Sequence, residues 1–362
     1  MDRTKIKISS GQFLALLLCS RITVTLTYSL NNSEHTSSGS DFLNAIILIP
    51  IMLLLGIPAY ILIKQNKNKS LIDRAYDISS SFGNLLSVLY SLYFLFIPIA
   101  SISRFNIFIT STIQTDKSMF YYAVLIMLPV CFATIKGIEP IARAGTIGVV
   151  LGGLILLTIT IILIPRFNIL NITAPALEEK SNMFSMLKIL TSNCNETVAL
   201  LILFPMVKGN TTKTYIKFSF ISGIIITILL FTIAATLGAY AKLQSFPYYT
   251  AYGVAELGSL KRLDAIHSAV WLIGVFIKSA TFTYTSCLCL ERIIPHKFRT
   301  LTIVIVGIII TVLASIISGN YGNFDWLYGS VNLLRSLLVF SLAIPLLVII
   351  MSNANRKRRV IN

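Results

Sequence analysis

The stretch TSNCNET at 191–197 gathers hydroxyl, amide, thiol and carboxylate side chains inside an apolar segment, with Met183–Leu190 before it and Val198–Val207 after it. If that segment spans a bilayer, Asn193, Cys194, Asn195 and Glu196 stand near mid-depth, because a spanning helix needs about 20 apolar residues. A carboxylate at that depth requires a partner, a proton or water. Asn, Ser and Thr satisfy backbone groups freed by local unwinding, and broken spanning helices form midplane solute sites in many transporters. The competing expectation is a continuous helix whose polar residues are hidden in a helix–helix contact.

A second interruption, SRITVTLT at 20–27, brings Arg21, Thr23 and Thr25 into another apolar segment. Five basic residues fall within expected spans: Arg21, Arg104, Lys188, Lys278 and Arg335. Lys188 lies near an end and can snorkel. The others each carry an insertion cost of about 2.5–3.5 kcal/mol, and Glu196 is the clear deep carboxylate offered in return. This excess of cations asks for an anion. A solute carboxylate held at a half-helix N-terminus would supply it, as would water-filled cavities, a neutral Lys or an acid from another subunit. Lys278 can lose its proton where Arg cannot, so it can stand in a coupling-ion position or pair with Glu196.

The elements that must position these groups follow from composition. The chain has 362 residues, 55% apolar and 12% charged, about half the charged fraction of a soluble domain. Apolar runs recur from residue 11 to residue 351, so the expectation is a single integral membrane domain over 1–362. Spans are expected near 11–30, 42–63, 82–113, 119–136, 144–165, 185–207, 218–240, 264–290, 300–318 and 326–351, an all-α polytopic protein of about ten transmembrane helices. Arg3, Lys5 and Lys7 before LALLLC imitate a signal peptide, but no small-x-small cleavage site follows, and Leu18 before Cys19 departs from a lipoprotein site. This segment is expected to be the retained first span.

The formal charge of +16 is a matter of topology rather than a nucleic-acid footprint. Lys and Arg concentrate in alternate loops: Lys64, Lys67, Lys69 and Arg74; Lys136 and Arg143; Lys208, Lys213 and Lys217; Arg292, Lys297 and Arg299; Arg356–Arg359. The positive-inside rule then places both termini in the cytoplasm. The five cysteines and three histidines make no metal-ligand spacing, so neither a metal nor a cofactor is expected. No nucleophile–base pair suggests an enzyme. Outside, 31–41 reads as a polar loop, and 242–263 as an interfacial helix or lid. Inside, Glu139 and Arg143 can pair across a turn, and Pro140 is expected to end the preceding helix.

Ten spans divide into five plus five, which inverts one half relative to the other and makes spans one and six equivalent. Both carry polar interruptions, the sequence pointer to a transporter-like site with broken helices one and six.

Three stretches carry a family resemblance: ISSGQFLALLL (8–18), KGIEPIARAG (136–145) and FPYYTAYGVAELGSLKRLDAIHSAVWLIGVFIKSATFTY (246–284). Their order and spacing resemble the B subunits of bacterial spore germinant receptors, within the amino acid–polyamine–organocation transporter superfamily. The resemblance implies a LeuT-like five-plus-five inverted repeat. It also implies recognition of a small nutrient germinant, commonly an amino acid, together with A and lipoprotein C subunits in the spore inner membrane, among membrane lipid and without nucleic acid. By position it implies a pocket between spans one, three, six and eight, with Thr23, Thr25, Arg104, Asn193, Cys194, Asn195, Glu196 and Lys278 as its residues. SRITVTLT departs from the superfamily's glycine-rich first break, which lets backbone approach a ligand carboxylate, so the carboxylate pocket is altered here. The alternative function is a proton-coupled amino-acid permease.

Overall fold

The computed structural model describes residues 7–26, 41–113, 118–172, 183–255, 264–320, 322 and 328–361. Among these, nine helical stretches are long and apolar enough to cross a membrane, and Ser10–Leu26 forms a shorter apolar helix. They follow the expected order. Span one is Ser10–Leu26, span two Asp41–Leu55 with Ile57–Gln65, span three Ser80–Thr112, span four Met119–Lys136 and span five Ile138–Leu163. Span six is Met183–Ser192 with Glu196–Leu203, span seven Thr211–Leu237, span eight Asp264–Leu290 and span nine Arg299–Ser318. Span ten runs from Ser330 to Ile361 through a π-helical turn at Val339–Ala343. The chain is an all-α integral membrane protein.

Burial ranks the spans. The apolar window of span six is 83% buried inside the protein, that of span five only 22%. Span five instead exposes Ile147, Leu154, Leu157 and Ile161, a face that suits hydrocarbon rather than water. Span six is therefore the central post.

Span one starts where its sequence says it should. The Ser9 hydroxyl accepts from the Gln12 amide at 3.1 Å while the Gln12 side chain accepts from the Ser9 amide at 2.9 Å, a reciprocal cap of S-x-x-Q type. Just before it, strand β1 (Ile8–Ser9) pairs in parallel with strand β2 (Val207–Lys208). This short pairing ties the entry of span one to the exit of span six, so the first helices of the two halves are joined at one end.

Spans one and eight approach closely at Gly274. A Cβ built there would lie 2.3 Å from the Thr23 hydroxyl, which is already committed to the Cys19 carbonyl at 2.7 Å. Small residues at such contacts let helices approach. Gly274→Ala is expected to lower stability by about 1–3 kcal/mol, read as a reduced melting temperature in detergent, and Thr23→Ala in the same chain should recover most of the loss.

Several loop expectations are refined. Gly137, at φ 102°, makes the turn between spans four and five. Pro140 does not end span four; it sits in the first turn of span five, where its missing N–H breaks no helical bond. Glu139 and Arg143 do pair, at 2.6 Å and largely exposed, a geometry of little energetic weight. In the outer segment, Pro247–Gly253 is a short helix whose Pro247, Tyr248, Ala251 and Tyr252 are buried, so it is packed into the protein. The rest of that segment, 256–263, and most of the polar loop at 31–41 lie outside the described residues.

Candidate functional site

Span six breaks at Asn193–Asn195, because the local side chains compete for the helix's own acceptors. The Ile189 carbonyl accepts from the Asn193 amide nitrogen at 3.0 Å and from the Ser192 hydroxyl at 2.8 Å. The Cys194 N–H closes a tight turn on the Thr191 carbonyl at 2.9 Å. Beyond the break, Thr197 and Val198 donate to the Cys194 and Asn195 carbonyls, and the second half-helix, Glu196–Leu203, begins. Asn195 does not cap it, since its side-chain oxygen accepts from the Tyr93 hydroxyl of span three at 2.7 Å.

Span one departs from expectation. It is continuous from Ser10 to Leu26, so the described part of SRITVTLT is not a break. The Thr23 and Thr25 hydroxyls bond back to the carbonyls four residues earlier, Cys19 and Arg21, and no Gly or Pro interrupts residues 12–26. Such bonds leave the helical ladder intact.

What span one brings to the break is Ser20 and Arg21. The Ser20 hydroxyl donates to Glu196 Oε1 at 2.5 Å. Arg21, 1% exposed, donates from Nη2 to the Leu190 carbonyl at 2.9 Å. That carbonyl belongs to the C-terminal end of the first half-helix, Met183–Ser192, where a cation is favoured. Arg21 Nε and Nη1 and Glu196 Oε2 are buried without a hydrogen-bond partner among the described residues. Lys278 of span eight, 3% exposed, lies within electrostatic reach of both Glu196 and Arg21. Two buried cations and one buried carboxylate thus share this region. A cavity of about 20 Å³ between spans one, six and seven is lined by Arg21, Val24, Thr25, Ile189, Leu190, Asn193 and Leu230. It has room for about one water.

The candidate residues divide accordingly. Asn193, Cys194, Asn195, Glu196 and Lys278 gather at the break, and Thr25 lines the cavity beside it. Cys194 is buried, with its thiol toward the Leu190 carbonyl at 3.6 Å. Thr23 is packed against Gly274. Arg104 lies 5.7 Å from the Phe246 ring, in an aromatic layer with Phe108 and Trp271, two helical turns along span eight from Lys278. Among the other deep cations, Lys188 is half-buried and Arg335 exposed, leaving Arg21 and Lys278 as the two enclosed ones. Sequence reasoning named Arg21 as a deep cation without assigning it to the pocket, and passed over Ser20 and Tyr93. The signal for the first two was their place in the same polar stretch as Thr23 and Thr25; nothing in the sequence marked Tyr93.

A further set of contacts leads away from the break. The Tyr93 ring stacks on Phe340 at 4.5 Å, and the Tyr90 hydroxyl donates to the Phe340 carbonyl at 2.8 Å. Phe340 sits in the π-helical turn of span ten, a kind of distortion that recurs at functional positions. On the other side, Thr197 shares a 2.7 Å hydrogen bond with Tyr215 of span seven, whose hydroxyl also reaches the Met52 carbonyl at 2.9 Å. The break is thereby joined to spans two, three, seven and ten.

Two solved transporters share this fold. A Na⁺-coupled sialic acid symporter in a substrate-bound outward-open state superposes with a TM-score of 0.66 at 14% identity, covering 94% of this chain and 80% of that one. MhsT in complex with L-phenylalanine gives 0.64 at 14% identity, covering 95% and 98%. Both are LeuT-fold transporters, and the likeness extends to the fold alone. A comparison with curated proteins finds no significant match. The family model described as Spore germination protein matches residues 7–321, nearly the whole helical body including both halves of the broken span. The chain belongs to the spore germination protein family, and its fold is that of a membrane transporter rather than an enzyme.

Proposed function

We propose that this chain is the ligand-sensing membrane subunit of a spore germinant receptor, acting with A and C subunits in the spore inner membrane with both termini cytoplasmic. Its ligand is a small nutrient germinant with an anionic group, an amino acid above all. The observation that carries this reading is Arg21, which is fully enclosed beside the broken helix with two nitrogens unpartnered among the described residues. With Glu196 the single enclosed carboxylate near two enclosed cations among the described residues, one buried positive charge is left in excess, which is costly, and an incoming carboxylate would relieve that cost. The two structural neighbours are named with carboxylate-bearing solutes, sialic acid and L-phenylalanine, which supports the same chemistry. The ligand shifts the population toward the form that it binds best, by its differential affinity for the two. The contacts from Asn195 through Tyr93 to Phe340 offer a physical route by which that shift reaches span ten.

The test is dipicolinic acid release from spores lacking this gene, screened against amino acids and sugars. Loss of the response to one germinant class, restored by the wild-type gene, supports sensing; an unchanged response to every germinant contradicts it. Phe340→Ala is expected to leave germinant affinity within about threefold while slowing release more than tenfold, because it removes the stacked partner of Tyr93 without touching the break. The second reading, a proton-coupled amino-acid permease, is favoured by the enclosed Lys278 lying within electrostatic reach of Glu196, and uptake of labelled amino acid into vesicles would establish it.

A further inference from the structure

On the lysine-rich side of the protein, a second pocket of about 490 Å³ opens where the end of span two meets the start of span seven, within the range of small-ligand sites. Lys64, Lys67 and Lys213 line it, and no carboxylate does. The Lys67 ammonium donates to the Gly209 carbonyl, which fixes it at the rim. Span seven, 27 residues long, presents its N-terminus to this pocket through Thr211 and Thr212. Asn210 caps the Lys213 amide at 3.0 Å, and the amides of Thr211 and Thr212 precede the first intrahelical donors. The independent observation is the charge of the lining, three lysines from two helices with no carboxylate among them.

Three lysine side chains and the first amides of span seven together are the donor set for a tetrahedral oxyanion. Tyr60, also in the lining, is 48% exposed, and Ile57 and Ile216 on the same two helices are exposed as well, so the pocket borders the surface that faces hydrocarbon. We propose that this pocket binds a phosphate group, supplied by an anionic phospholipid headgroup or by free phosphate. A lipid held there would bridge spans two and seven, the helices that Tyr215 joins to the broken span.

The test is native mass spectrometry of the detergent-solubilised full chain with phosphatidylglycerol or phosphatidylcholine of matched acyl chains. Phosphatidylglycerol is expected to be retained at least tenfold over phosphatidylcholine. The variant carrying Lys64→Gln, Lys67→Gln and Lys213→Gln should lose that preference, and a control carrying Lys136→Gln, Lys217→Gln and Lys297→Gln, with the same charge change, should keep it. If inorganic phosphate stabilises the wild type and not the pocket variant, with no lipid preference, the site stands and free phosphate is its source. Equal retention of the two lipids without phosphate stabilisation, or equal losses in pocket and control variants, would overturn the proposal.

Discussion

Arg21→Gln is expected to abolish the germinant response of spores carrying it, with affinity for the germinant reduced at least about 100-fold. The guanidinium of Arg21 bonds the Leu190 carbonyl at the end of the first half-helix and has two further nitrogens enclosed. Glutamine keeps a donor for that carbonyl and removes the charge, so the helix end stays satisfied while the attraction for an anion disappears. Removing one partner from a buried charge pair typically costs about 3–5 kcal/mol, and about 1.4 kcal/mol is tenfold in affinity; the stated loss is the lower end of that range. Dose–response curves for dipicolinic acid release, at matched protein levels by immunoblot, measure it. A response within threefold of wild type would exclude Arg21 from ligand binding.

Glu196→Ala is expected to have the largest effect on the protein itself. Glu196 is the carboxylate at the break and is 0% exposed. Its removal leaves two enclosed cations, Arg21 and Lys278, within electrostatic reach of each other, and also strips the Ser20 hydroxyl of its acceptor. Loss of an enclosed counter-charge on this pattern costs about 3–5 kcal/mol, which should show as poor accumulation in membranes and a clearly lowered melting temperature. The account makes a sharper statement through coupling. Lys278→Met combined with Glu196→Ala should restore much of the loss, because the double variant carries one buried cation rather than two. A double-mutant cycle reads this as a coupling energy; strictly additive losses would mean that Glu196 and Lys278 do not share a charge account. Glu196→Gln, which keeps an acceptor for Ser20, should fall between wild type and Glu196→Ala.

Much of this was legible in the sequence, and the reasons are physical. Hydropathy over a 20-residue window follows directly from bilayer thickness, so the spans could be placed. The break in span six was legible because TSNCNET combines side chains that compete for backbone acceptors, and they do so at Ile189 and Thr191. The same logic failed over the described part of SRITVTLT, where Thr23 and Thr25 bond back along an intact ladder. Polarity in a spanning segment reports a need for partners, and those partners were the helix's own carbonyls and span six. The closeness of Arg21 to Leu190 depends on how spans one and six cross, a long-range property that no local pattern encodes. Arg104 illustrates the converse, since depth along a span placed it near the pocket while the packing of span three turned it to Phe246.

The most direct measurement of the central claim is binding of amino acids and their methyl esters to the purified full chain, wild type against Arg21→Gln. If Arg21 holds the carboxylate of the germinant, the wild type should bind the free acid at least about 100-fold more tightly than its ester, and Arg21→Gln should bind both equally and weakly. Equal affinity of the wild type for acid and ester, or an unchanged preference for the acid in Arg21→Gln, would contradict a carboxylate site at the break in span six.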